Sequence, residues 1–141
     1  MCKLFIEADP ALWQYQTRSL RLHGVATSLR LELLFWNILA EIGGRDGLTL
    51  SQLLVTLYDE LIDARGEPGN FASFLRVCCG RYLALQLHGD VPADPTIPIR
   101  SLDASGILLR ERTRGLPYSL PREGEVQDQG PDLDATARPA D

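Results

Sequence analysis

The hydrophobic pattern of the chain changes period at residue 32. Over residues 25–31 apolar and polar side chains alternate, with Thr27, Leu29 and Leu31 on one side and Ala26, Ser28 and Arg30 on the other. Such a period of two predicts a half-buried strand. From Glu32 onward Phe35, Ile38, Leu39 and Ile42 fall at i, i+3, i+4 and i+7, which predicts a helix over 32–42. An acid suits the positive end of that helix, and Gly43-Gly44 supplies its stop. Leu50, Leu53, Leu54, Leu57, Tyr58 and Leu61 form the stripe of a second helix over 49–64. Thr49 and Gln52 have the spacing of a capping box at its start. Asn70 suits the N-cap of a third helix, whose stripe of Phe71, Phe74, Leu75, Cys78, Tyr82 and Leu85 runs out by His88-Gly89.

The flanks are less regular. Residues 3–7 have the composition of a short strand, and Asp9-Pro10 reads as a turn or helix start. The tetrapeptide Ser-Leu-Arg-Leu occurs at 19–22 and again at 28–31. The repeat is either a hairpin turning near His23-Gly24 or a coincidence in a Leu- and Arg-rich chain. Only the second copy runs directly into a helix, so spacing assigns the ribbon strand to it. After residue 90 come seven of the nine prolines, with short strand-like runs at 97–100 and 107–110. The expected organisation is an N-terminal extension (1–24), a strand-helix-helix module (25–64), a third helix packing on it (65–89) and a Pro-rich, largely disordered tail (90–141).

Charge refines this picture. The chain of 141 residues carries a net −5, but Glu123, Glu125, Asp128, Asp132, Asp134 and Asp141 against Arg122 and Arg138 place −4 of it in 121–141. Between Pro10 and Leu31 stand Arg18, Arg21 and Arg30 and no acid. Screening confines each charge to roughly 10 Å, so a local basic strip binds phosphate whatever the sum. Catalytic and phosphate-loop motifs are missing, so neither an enzyme nor a cofactor is expected. Adjacent Cys78 and Cys79 lack the spacing of metal ligands, and no metal is expected; a thiol redox sensor is the minor alternative. With no leader pattern and no apolar run near 20 residues, the expected location is the cytoplasm, without membrane association.

A lone strand leaves backbone groups unpaired, and two apolar helices cannot cover each other. A second copy solves both problems if two strands pair across a two-fold axis and four helices share a core. That dimer core is expected to hold Thr27, Leu29, Leu31, Phe35, Ile38, Leu39, Leu53, Leu54 and Leu57. Such a two-stranded ribbon fits the major groove of DNA.

The run Thr27-Ser28-Leu29-Arg30-Leu31-Glu32, the helix after it, the turn Asp46-Gly47-Leu48-Thr49-Leu50-Ser51-Gln52-Leu53 and the Leu-rich second helix resemble the ribbon-helix-helix family of Arc- and MetJ-like repressors. The stretch from Arg18 to Cys79 is similar to a bacterial subgroup with an N-terminal segment and a third helix. The resemblance implies a mainly α fold with a short β-ribbon, forming a homodimer on double-stranded DNA, with an additional C-terminal helix and a disordered tail. It places base reading on Ala26, Ser28 and Arg30, with Ala26 a departure from the longer polar side chain common there. Phosphate contacts are expected from Arg18 and Arg21 and from the amides of Leu48, Thr49, Leu50 and Ser51 at a helix N-terminus. A repressor is the leading expectation. The alternative is an antitoxin-like or other protein-interaction module that engages a protein partner through the third helix or the tail.

Overall fold

The computed structural model describes residues 2–115. After a short helix α1 (Cys2–Ile6) and a 3-10 turn (Pro10–Trp13) come two strands, β1 (Tyr15–Leu22) and β2 (Val25–Glu32). Three helices follow, α2 (Leu33–Arg45), α3 (Leu50–Arg65) and α4 (Phe71–Leu87). A 3-10 turn at Ile99–Ser101 and a last helix α5 (Ala104–Arg114) complete the described chain.

The two strands pair antiparallel within one chain, in a register running from Tyr15↔Glu32 to Leu22↔Val25. Two residues connect them. His23 and Gly24 both have positive φ, 50° and 76°, the backbone that a two-residue hairpin turn with matching twist requires. The repeated Ser-Leu-Arg-Leu is therefore a hairpin. The partner that β2 was expected to find in a second copy is, in this structure, β1 of its own chain, inside the segment assigned to the N-terminal extension.

The inner face of the hairpin carries the buried Leu22, Leu29 and Leu31, with Leu20 and Thr27 half-buried beside them. They pack on a core that includes Trp36, Leu39, Leu54, Leu75 and Cys79, all fully buried. Of the residues expected to form a dimer core, Leu29, Leu31, Ile38, Leu39, Leu53 and Leu54 are already buried within a single chain, while Thr27, Phe35 and Leu57 are half-buried. The capping box of α3 forms as expected: the Thr49 hydroxyl accepts from the Gln52 amide at 3.2 Å, and Gln52 Oε1 accepts from the Thr49 amide at 2.9 Å. Asn70 caps α4 by accepting from the Ser73 amide at 3.1 Å.

Two expectations at the flanks are corrected. Residues 2–6 form a helical turn rather than a strand. Residues 90–114 are ordered against the core rather than part of a disordered tail: Val91 and Ile107 are buried, the strand-like run at 97–100 leads into the 3-10 turn at Ile99–Ser101, and that at 107–110 lies in α5. Polar anchors hold this arm. The buried guanidinium of Arg45 donates to the carbonyls of Pro92 (2.8 Å), Asp94 (3.0 Å) and Ile97 (3.0 Å) and to the Tyr82 hydroxyl (3.2 Å). Arg81 pairs with Glu111, and Asp90 with both Arg110 and Arg114. The remainder of the expected tail, 116–141, lies outside the described residues. Among the described residues no helix is long and apolar enough to cross a membrane, and no cluster of three or more potential metal ligands occurs.

Candidate nucleic-acid interface

Opposed residues of an antiparallel pair point to the same side of the sheet. The register therefore divides the hairpin into two faces. With the leucines inward, the outward face carries Ala26, Ser28, Arg30 and Glu32 from β2, opposite Arg21, Ser19, Thr17 and Tyr15 from β1. All but the half-buried Glu32 are exposed. The three residues expected to read bases thus lie on one exposed face.

Arg30 does not stand free on it. Its guanidinium lies over the Tyr15 ring, 4.3 Å from the centroid, a cation–π contact that holds the side chain near the strand. The acid of this face is neutralised. Glu32 accepts two hydrogen bonds from Arg76 of α4, from Nε at 2.9 Å and Nη2 at 3.2 Å. That pairing holds the Glu32 carboxyl below its ordinary range, and it leaves the arginines to set the sign of the surface. Glu32 was expected to serve the first helix through its dipole; it occupies the N-cap position but makes no side-chain cap, reaching α4 instead.

Arg18 and Arg21 are separated. Arg21 points outward beside the turn, where its Nη1 donates to the Gly24 carbonyl at 3.1 Å. Arg18 lies on the helix side, over the Trp36 ring at 5.5 Å from its centroid. Trp36 is in turn fixed by its indole N–H, which donates to the Gln16 carbonyl at 2.9 Å. The four amides expected to bind phosphate also divide. Leu48 N–H donates to the Gly43 carbonyl at 2.8 Å and Thr49 N–H to Gln52, so neither is available to an anion. Leu50 and Ser51, in the first turn of α3, are the pair that helix geometry leaves without an intrahelical acceptor.

The hairpin tip is braced on α3. His23 Nε2 lies 2.7 Å from Asp59 Oδ1, and the His23 ring meets Tyr58 edge-on at 5.5 Å. Asp59 is nine residues beyond the start of α3, about 14 Å along its axis. The tip and the Leu50–Ser51 amides therefore mark different levels of the same helix.

Sequence reasoning missed Tyr15, Thr17 and Ser19. Their signal was the first Ser-Leu-Arg-Leu copy, whose alternation matches that of β2. It also left Cys78 and Cys79 open as a redox pair. Burial raises both thiols, and Cys79, fully enclosed in the core, is pushed up to about 12. A thiol so reluctant to ionise is a core residue and a poor nucleophile.

Residues 15–83 match the family model described as "Ribbon-helix-helix domain". The chain belongs to the ribbon-helix-helix family. The match begins at the first residue of β1, so the ribbon-helix-helix domain here includes the whole hairpin rather than β2 alone. Among solved structures, the chain is similar to an uncharacterized protein from Bordetella pertussis Tohama I. The two are 56% identical with a TM-score of 0.76, over 86% of this chain and 96% of that one. No curated protein matches the chain. The ribbon-helix-helix fold is typical of DNA-binding regulators, which bind as dimers.

Proposed function

We propose that the chain is a sequence-specific DNA-binding transcriptional regulator, a repressor that acts as a cytoplasmic homodimer and has no catalytic activity. One observation carries the reading: the outward hairpin face combines Ser28 and Arg30 with a second arginine at the tip, while its acid is neutralised by Arg76. In the major groove, Arg30 matches the O6 and N7 acceptors of guanine, and Ser28 donates to or accepts from any base edge. Ala26 offers only a small apolar contact, suited to a thymine methyl. Arg21 and the Leu50 and Ser51 amides supply phosphate contacts that fix orientation without reading sequence. Arg18, turned to the helix side, is not assigned to the groove.

The test is selection of bound duplexes from a random library with the purified protein, followed by footprinting. The expected outcome is a site with two-fold symmetry whose guanines become degenerate with Arg30→Ala. Failure of the wild-type protein to enrich any sequence would refute the reading.

A further inference from the structure

From the contact between its ring and the Arg30 guanidinium we infer that Tyr15 is a positioning residue: it fixes where Arg30 stands before DNA arrives and so sets the strength of base preference. This rests on the DNA-binding reading above and deepens it. Arg76, Arg81, Arg110 and Arg114 are each held by a carboxylate. Among the described residues Arg30 is held by a ring instead, its guanidinium carbon 4.3 Å from the Tyr15 centroid. The difference matters chemically. A carboxylate takes up the N–H donors that would meet a base, whereas a ring attracts the charge through its face. The donors lie in the guanidinium plane, so a guanidinium held by a ring keeps them for the O6 and N7 acceptors of guanine.

The ring is placed by the strand register. Tyr15 stands opposite Glu32, and Thr17 opposite Arg30. Tyr15 and Arg30 are therefore diagonal neighbours on one face, within reach of an aromatic and a long side chain. The open end of the hairpin is pinned at this level. Arg76 binds Glu32 from α4, and the Leu33 amide donates to the Gln14 carbonyl at 2.9 Å, one step beyond the Tyr15–Glu32 pair. Tyr15 is 52% exposed, so its ring serves the core little. A free arginine loses much of its rotamer freedom when it docks on a base, and one already held by a ring loses less. The contact asks nothing of a second copy and no DNA contact of β1. β1 occupies one edge of β2, and the described sheet has no third strand, so a ribbon made across the other edge of β2 leaves Tyr15 beside Arg30.

The experiment compares wild-type protein with Tyr15→Leu, Tyr15→Phe, Arg30→Ala and the double variant Tyr15→Leu/Arg30→Ala. Binding is measured by anisotropy on the duplex enriched by the wild type and on a scrambled duplex of the same composition, and thermal melts verify the fold. Tyr15→Leu is expected to lose about fivefold in preference for the enriched duplex, the scale of immobilising one long side chain. Tyr15→Phe, which keeps the ring, is expected to stay within about twofold of wild type. Adding Tyr15→Leu to Arg30→Ala is expected to cost nothing further, since the ring acts through Arg30. The free protein gives a readout without DNA: ring-current shifts of the Arg30 δ protons in NMR spectra are expected to persist in Tyr15→Phe and vanish in Tyr15→Leu. Full preference in Tyr15→Leu, where Arg30→Ala abolishes it, would overturn the inference and leave the DNA-binding reading intact. So would an equal loss in Tyr15→Phe, which would make the hydroxyl a contact in its own right, or a further loss in the double variant. Failure of the wild type to enrich any duplex would remove both.

Discussion

At the scale of single residues, two arginines shape the molecule from places that hydrophobic patterning does not mark. Arg76 binds Glu32 with two charge-assisted hydrogen bonds and ties α4 to the end of β2. Because the folded-state pKa of Glu32 is lowered from 4.5, its contribution is present in full above that value. It is lost as pH falls through the folded-state pKa. Glu32→Gln is expected to lower stability by about 1 kcal/mol at neutral pH, the pair being partly exposed. The difference from wild type should shrink as pH drops below about 4.5, as urea midpoints measured across that range will reveal. A pH-independent difference would mean that the pair contributes through packing alone.

Arg45 has a different role. Buried without a carboxylate, it is satisfied by three carbonyls of the 92–97 loop and by Tyr82. Arg45→Met would remove donors from those acceptors and is expected to destabilise the protein by about 3 kcal/mol. Amide exchange in 92–97 should rise more than in the hairpin. Unchanged protection there would show that the arm is held by other contacts.

At the scale of elements, the three long helices were legible in the sequence to within a few residues, because each carries a 3.6-residue stripe and α3 and α4 carry their own N-caps as well; the Gly43-Gly44 stop expected for α2 is instead part of that helix, which runs on to Arg45. The strand β2 was legible from strict alternation. The first strand was only half visible: Leu20 and Leu22 alternate with Arg21, but Gln16 and Arg18 occupy inward positions where an apolar residue would have completed the pattern. Arg18 lies there over Trp36, a contact made with another element and so invisible to local periodicity. The C-terminal arm was misread for the same reason. Its proline content suggested disorder, and its anchor at Arg45 lies about 50 residues away in the chain.

The Gly43-Gly44 pair shows how a local rule meets a packing constraint. Both glycines lie within α2, where alanine is intrinsically better by about 1 kcal/mol. A Cβ on Gly43 would stand 3.1 Å from the Leu48 carbonyl oxygen and 3.4 Å from Leu53 Cβ, whereas one on Gly44 meets nothing within 4 Å. The Leu48 backbone cannot easily yield, because its amide is bonded to the Gly43 carbonyl. Gly43→Ala is therefore expected to destabilise by about 1 kcal/mol or more, and Gly44→Ala to stabilise by up to about 1 kcal/mol. Chemical denaturation of the two variants side by side tests this contrast; equal effects would contradict the close approach of α2 and the turn before α3.

At the scale of the whole molecule, one chain contains both a buried core and a complete two-stranded ribbon. The sequence argument for a dimer, that strand and helices lack partners, is met in part within one chain by β1 and by the ordered arm, so under the proposed function a dimer would serve the symmetry of DNA recognition more than the completion of a core. The proposed DNA-facing surface was legible where β2 carries it, because alternation alone puts Ser28 and Arg30 on one exposed side. It was not legible where register decides, because which β1 residues share the outward face depends on a turn of two residues rather than three or four. The net charge of −5 does not oppose DNA binding, since the hairpin's outward arginines have no unneutralised acid on their own face.

The measurement that bears most directly on this account is the salt dependence of duplex binding by fluorescence anisotropy, for wild-type protein and Arg30→Ala, between roughly 50 mM and 200 mM salt. The account predicts wild-type affinity that falls steeply as salt rises, because phosphate contacts release counterions, and an Arg30→Ala variant that no longer prefers the enriched duplex. Wild-type binding that is absent at low salt, or full sequence preference in Arg30→Ala, would contradict the assignment of the hairpin face to DNA.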